Sequence, residues 1–146
     1  MKELNRRFIN QITNNNLLAL SIGLVYLLFG VLKFFTSLSP AEDVAIQTIN
    51  RLTLGLVPAQ ISITFLSIWE SGIGIFLILN WYRKTTILFA LVHITMTFTP
   101  LFLSPEIIFS NASLAPTLLG QYIFKNIIIV AALITVLQNK TPSYAS

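Results

Sequence analysis

Four ionisable side chains, Lys33, Glu70, His93 and Lys125, lie inside long apolar runs, one to each run. A charge at the centre of an apolar layer costs about 2.5 to 3.5 kcal/mol on membrane-insertion scales, so such residues are expected to face a helix-bundle interior and to pair with something there. A carboxylate and an imidazole within reach of each other can exchange protons, which makes Glu70 and His93 the candidate acid–base groups. Two lysines against one glutamate leave a positive charge over, suited to an anionic or carbonyl-bearing ligand or to Glu106 of a later loop. Each residue also has a plainer role. Lys33 can snorkel to a membrane boundary, a Glu70–lysine pair can serve only to hold helix register, and a lone histidine is commonly a hydrogen-bonded core residue. Tyr26 and Trp69 read as packing residues.

The composition narrows the classes. Of 146 residues 55% are hydrophobic and 10% charged, against roughly 25% charged in an ordinary soluble domain. The mean hydropathy is +0.79, as expected of a membrane protein. Nine Lys and Arg against five Asp and Glu give a net charge of +4. Most of these charges stand outside the apolar runs and form no nucleic-acid face. The absence of cysteine excludes disulfides, thiolate metal sites and a dithiol relay within this chain, and the single histidine excludes an intrachain bis-histidine haem. No resident metal is expected. The length suits a single domain, residues 1–146.

The elements that must position these residues follow from run length. A helix crossing the bilayer core needs about 20 apolar residues, and four segments qualify: Leu17–Phe35, Ile61–Tyr82, Thr86–Leu103 and Gly120–Leu137. Pro100 is expected to kink the third rather than end it. The fold class is therefore all-α, a transmembrane four-helix bundle. In the loop after the first span, Ser39-Pro40-Ala41-Glu42 has capping-box spacing. Behind it Ala41, Val44, Ala45, Ile49, Leu52 and Leu56 recur at helical spacing until Pro58, predicting an amphipathic outer helix over about 40–56.

With a cytoplasmic N-terminus, Lys2, Arg6, Arg7, Arg83, Lys84 and Lys140 lie inside and Arg51 alone lies in an outer loop. That bias predicts a multi-pass protein of the cytoplasmic (inner) membrane with both termini cytoplasmic. The first span is expected to be retained, since its apolar run is longer than a signal-peptide core and no small-x-small cleavage site follows. Before it, Leu4, Phe8 and Ile12 suit a short helix on the inner leaflet, with a frayed tail as the alternative. The loop 104–119 is polar, and its Asn111-Ala112-Ser113 fits the glycosylation triplet.

Polar and small residues align within each span. Gly23, Tyr26, Gly30 and Lys33 share a face of the first; Ser67, Glu70 or Ser71, and Gly74 share one of the second. His93, Met96 or Thr97, and Pro100 align in the third, and Gln121 with Lys125 lies beside Tyr122 with Asn126 in the fourth. A purely structural membrane bundle would use such stripes too. Glu70 and His93 fall near mid-depth and Lys33 and Lys125 in the outer half, so a cluster of them opens outward.

The run GVLKFFTSLSPAED (residues 30–43), with PTLLGQYIFKN (residues 116–126), resembles the DoxX-like family of small four-helix membrane proteins, and the likeness extends over all four spans. Lys33, Phe34, Ser39, Pro40, Pro116, Gly120, Gln121, Tyr122, Lys125 and Asn126 match its motifs. Members often carry a glutamate where this chain has Leu119, so an acidic partner from that position is missing here. The resemblance implies an inner-membrane four-helix bundle. The family takes its name from a subunit of a thiosulfate:quinone oxidoreductase, yet activity does not transfer with a fold.

Two functions follow. In the first, the chain is an accessory subunit of a membrane redox system, binding a quinone or similar lipid-soluble ligand through Lys33, Gln121, Tyr122, Lys125 and Asn126, with Glu70 or His93 exchanging protons. It then needs a redox partner subunit, because this chain holds no electron-carrying group of its own. In the second, it is a non-catalytic assembly or interaction protein, its buried charges structural and its outer helix a docking surface. The polar stripes could equally meet a second copy of the chain.

Overall fold

The computed structural model describes residues 17–35, 38–39, 42–110 and 115–138. Lys2, Arg6, Arg7, Lys140, the Leu4–Phe8–Ile12 stripe, Pro40 and the Asn111 triplet lie outside the described residues. Seven helices are described: α1 (Leu17–Leu32), α2 (Glu42–Leu52), α3 (Ala59–Ile78), α4 (Arg83–Met96), α5 (Pro100–Leu103), α6 (Pro105–Ile108) and α7 (Leu118–Gln138). An isolated bridge pairs Phe109 with Pro116 ahead of α7.

Three segments are long and apolar enough to cross a membrane: Ala59–Ile78, Arg83–Leu103 and Leu118–Gln138. α1 has 16 residues, and tighter hydrogen bonds from Phe34 to Val31 and from Phe35 to Leu32 prolong its winding. The third predicted span begins earlier than Thr86, because Tyr82 in the left-handed region turns the chain and leads into Arg83. It is also interrupted earlier than Pro100. The Thr97 amide already bonds to His93 and Ile94 together, Phe98 and Thr99 tighten to i−3 partners, and Pro100 opens α5 rather than kinking α4.

Helix ends explain two further departures. α2 stops at Leu52, before the expected residue 56, and Pro58 does not stop it. The Gly55 amide bonds to Asn50 and the Leu54 amide to Arg51, the Schellman pattern, with Leu54 at φ 52° and Gly55 at φ 79°. α3 ends the same way, with Trp81 bonding back to Phe76, Asn80 to Leu77, and Asn80 at φ 56°, so it finishes short of Tyr82. At the other end of α2, the Ser39 hydroxyl is buried without a partner, so the serine half of the expected capping box is not made. Within the loop 104–119, Pro105–Ile108 form α6 and Phe109 bridges to Pro116 before α7.

α1 packs along α3 in antiparallel fashion, with Gly23 meeting Gly74 and Gly30 meeting Ser71. A Cβ on Gly74 would come within 2.6 Å of the Leu27 amide nitrogen and 2.8 Å of the Gly23 carbonyl oxygen. Glycine there removes the side chain that would hold the two backbones apart. Ile22 and Tyr26 of α1, Leu77 of α3, Ala90 of α4 and Leu133 of α7 belong to one apolar core. Outward faces are also apolar, with Leu28, Phe65, Ile68, Val92 and Ile128 exposed.

The close approach makes a prediction. Gly74→Ala forces the α1 and α3 backbones apart and is expected to destabilise the protein by about 1 to 3 kcal/mol. Gly72→Ala, whose Cβ meets nothing within 4 Å, is expected to be neutral or to stabilise by up to about 1 kcal/mol. Thermal unfolding in detergent, followed by helical circular dichroism, compares the two.

Candidate functional site

Lys33 sits in the first turn beyond α1, its amide bonded to the Phe29 carbonyl, so its side chain stays on the stripe that Gly23, Tyr26 and Gly30 turn toward α3. Its Nζ donates to Oε2 of Glu70 at 2.5 Å, and both side chains are more than 90% buried. Lys33 therefore does not snorkel. The other carboxylate oxygen, Oε1, lies 3.2 Å from Nε2 of His93 on α4. The opposite ring nitrogen, Nδ1, lies 3.3 Å from the Tyr26 hydroxyl, which donates to the Ala90 carbonyl at 3.0 Å. Four side chains from three helices thus form one hydrogen-bonded chain, Lys33–Glu70–His93–Tyr26.

With Glu70 as the carboxylate, proton counting gives this chain two consistent states. A phenol has one proton to donate. If Tyr26 directs it to His93 Nδ1, the imidazole is neutral and its Nε2–H donates to Glu70. If Tyr26 directs it to Ala90, His93 donates from both nitrogens and is an imidazolium. The two states differ by one proton and by a rotation of the Tyr26 O–H, and both acceptors already stand within hydrogen-bond distance.

α7 divides the remaining sequence candidates between two faces. Tyr122 turns inward, its ring edge-on to Phe29 at 5.6 Å, and lies within electrostatic reach of Glu70. Asn126 also turns inward, its Nδ2 donating to Thr97 Oγ1 at 2.8 Å, which in turn donates to the Ile94 carbonyl at 2.6 Å. Between the alternatives in the third span, Thr97 is thus the interior residue and Met96 is exposed. Gln121 and Lys125 are on the exposed face. Gln121 bonds to the Pro116 carbonyl at 3.3 Å, and Lys125 Nζ lies over the Tyr122 ring, 5.9 Å from its centre. The structure brings Lys33, Glu70 and His93 together and leaves Lys125 outside their hydrogen-bonded group.

Glu106, considered as a partner for a surplus lysine, instead faces Arg51 at 3.5 Å, and Arg51 also donates to the Leu103 carbonyl. This half-exposed pair joins α2 to the α5–α6 turn and contributes about 0 to 1 kcal/mol. Tyr26 is the network member that residue type alone placed in packing. Its position on the Lys33 stripe carried the signal. Trp69 does pack, between Phe65 and Phe89. Among the described residues no group of three or more His, Cys, Asp or Glu side chains could hold a metal ion. No family model matches this chain, and no curated protein or solved structure is significantly similar to it.

The buried pair is tested by removing one charge or both. Glu70→Gln leaves the Lys33 ammonium buried without a counter-charge and is expected to cost about 3 to 5 kcal/mol. Lys33→Met combined with Glu70→Leu is expected to recover most of that loss, because neither charge is then buried. Thermal unfolding of the single and double variants in detergent measures the difference.

Proposed function

We propose that this chain is an integral protein of the cytoplasmic membrane, a four-helix bundle of the DoxX-like kind with both termini cytoplasmic. In this proposal it serves as an accessory subunit of a membrane redox system that binds a quinone or similar lipid-soluble carrier. The membrane assignment is supported by three long apolar helices and by side chains arranged opposite to those of a soluble bundle. Leu28, Phe65, Ile68, Val92 and Ile128 are outside, while Lys33 and Glu70 are buried. α1 crosses as the fourth span, with its winding prolonged through Phe35. Orientation is supported by Arg83 and Lys84, beside Trp81 and Tyr82, at the α3–α4 turn.

The observation that carries the functional proposal is the bridging of Glu70 and Tyr26 by the two nitrogens of His93. Reduction of a quinone to a quinol takes two electrons and two protons. A partner subunit supplies the electrons, and His93 with Glu70 passes the protons. Tyr122 and Asn126 belong to the inward side of α7, against Phe29 and Thr97, and Lys33 holds Glu70 in place.

A structural role is favoured by a different observation: the Lys33–Glu70 pair closes one turn beyond the Gly30–Ser71 contact, where it sets the rotation of α1 on α3. Mass spectrometry of small molecules retained by the protein in mild detergent separates the two. A quinone bound to the wild type and lost from His93→Phe, with helical content and melting preserved, is the expected result. A folded wild type that retains no such molecule, in membranes that contain quinone, sinks the redox assignment and leaves the structural one.

A further inference from the structure

The surplus charge of the sequence is on α7, and it faces away from the molecule. Lys125 is exposed, and among the described residues no carboxylate pairs with it. It lies seven residues, about two turns or 10 Å, inside the first residue of α7. Its stem leans back only as far as the ring of Tyr122, one turn nearer that end, so the ammonium remains within the apolar length of the helix. Gln121, Lys125, Ile128 and Thr135 follow one another at helical spacing on this exposed side. The outward sides of α1 and α3 present chiefly Leu, Ile, Val and Phe. α7 is also the least covered of the long apolar segments, with 22% of its span buried against 39% for α3 and 28% for Arg83–Leu103.

We propose that this face of α7 docks against a membrane-spanning helix of a different protein, one that carries an aspartate or glutamate level with Lys125. The inference rests on the membrane assignment above but not on the quinone. Lipid tails offer an ammonium nothing, whereas a helix bearing a carboxylate neutralises it and gives Gln121 a polar neighbour. Thr135, three residues from the other end of α7, donates its hydroxyl to the Ala131 carbonyl of its own helix. Among the described residues, a second copy of the chain does not supply the carboxylate. Glu70 is enclosed by Lys33 and His93, Glu42 is buried, Glu106 faces Arg51, and Asp43 is on α2, outside the long apolar segments.

The experiment places a photo-reactive benzophenone side chain at Ile128, which is 72% exposed, in the full chain expressed in its native cells. Irradiated membranes are washed with carbonate, and the adducts are mapped by mass spectrometry. The expected product joins Ile128 to a span of another membrane protein that holds an acidic residue. Its yield should fall about tenfold in Lys125→Met, persist in Lys125→Arg, and return when Lys125→Asp is combined with lysine at the partner's acidic position. Adducts to lipid alone, adducts of twice the chain's mass, or a yield indifferent to Lys125→Met would each overturn the proposal. Protein that the carbonate wash removes from the membranes would instead overturn the membrane assignment, and the inference with it.

Discussion

Burying the Lys33 ammonium beside an equal and opposite charge is the constraint on which the rest of this structure depends. Neither charge is tolerable alone in an apolar interior, since the desolvation penalty of each amounts to several kcal/mol. Lys33 must therefore meet Glu70, and that meeting sets both the rotation of α1 about its axis and its height along α3. The packing surfaces agree with that choice. Gly23 against Gly74 and Gly30 against Ser71 bring the backbones close enough for the lysine, one turn farther on, to reach down to the carboxylate.

Once Glu70 is held, its second oxygen orients α4. His93 is drawn to it, and the ring then presents Nδ1 to Tyr26, which returns to the backbone of α4 at Ala90. α1 and α4 are thereby joined through a group that belongs to α3. The ion pair and the histidine contact are thus one set of contacts, because the lysine that neutralises Glu70 also positions it for His93.

α7 completes the assembly in a different way. Its inward face contributes Tyr122 and Asn126, while its outward face keeps Gln121 and Lys125. The two polar stripes are adjacent, and Lys125 of the outer one lies over the ring of Tyr122 in the inner one. On α2, Val44 and Thr48 are buried, Asp43, Gln47 and Asn50 are exposed, and Arg51 fastens it to the α5–α6 turn.

The sequence by itself determined the helical class, the approximate extent of the three apolar segments long enough to cross a membrane, and the shortlist of residues able to carry charge inside them, whereas the first of the four expected spans forms a helix of only 16 residues. These depend on composition and on spacing along one chain, and a run such as Ile127–Leu137 has few other ways to satisfy its backbone away from water. The stripe Gly23, Tyr26, Gly30 and Lys33 was legible for the same reason, since helical periodicity places those residues on one face. Only the tertiary structure decided that Glu70 pairs with Lys33 and not with Lys125, that Tyr26 joins the network, that Thr97 rather than Met96 turns inward, and which of two adjacent stripes on α7 is buried. Periodicity defines a face on a helix but not the direction in which that face points, and that direction is set by how closely the neighbouring backbones can approach and which charges must meet when they do.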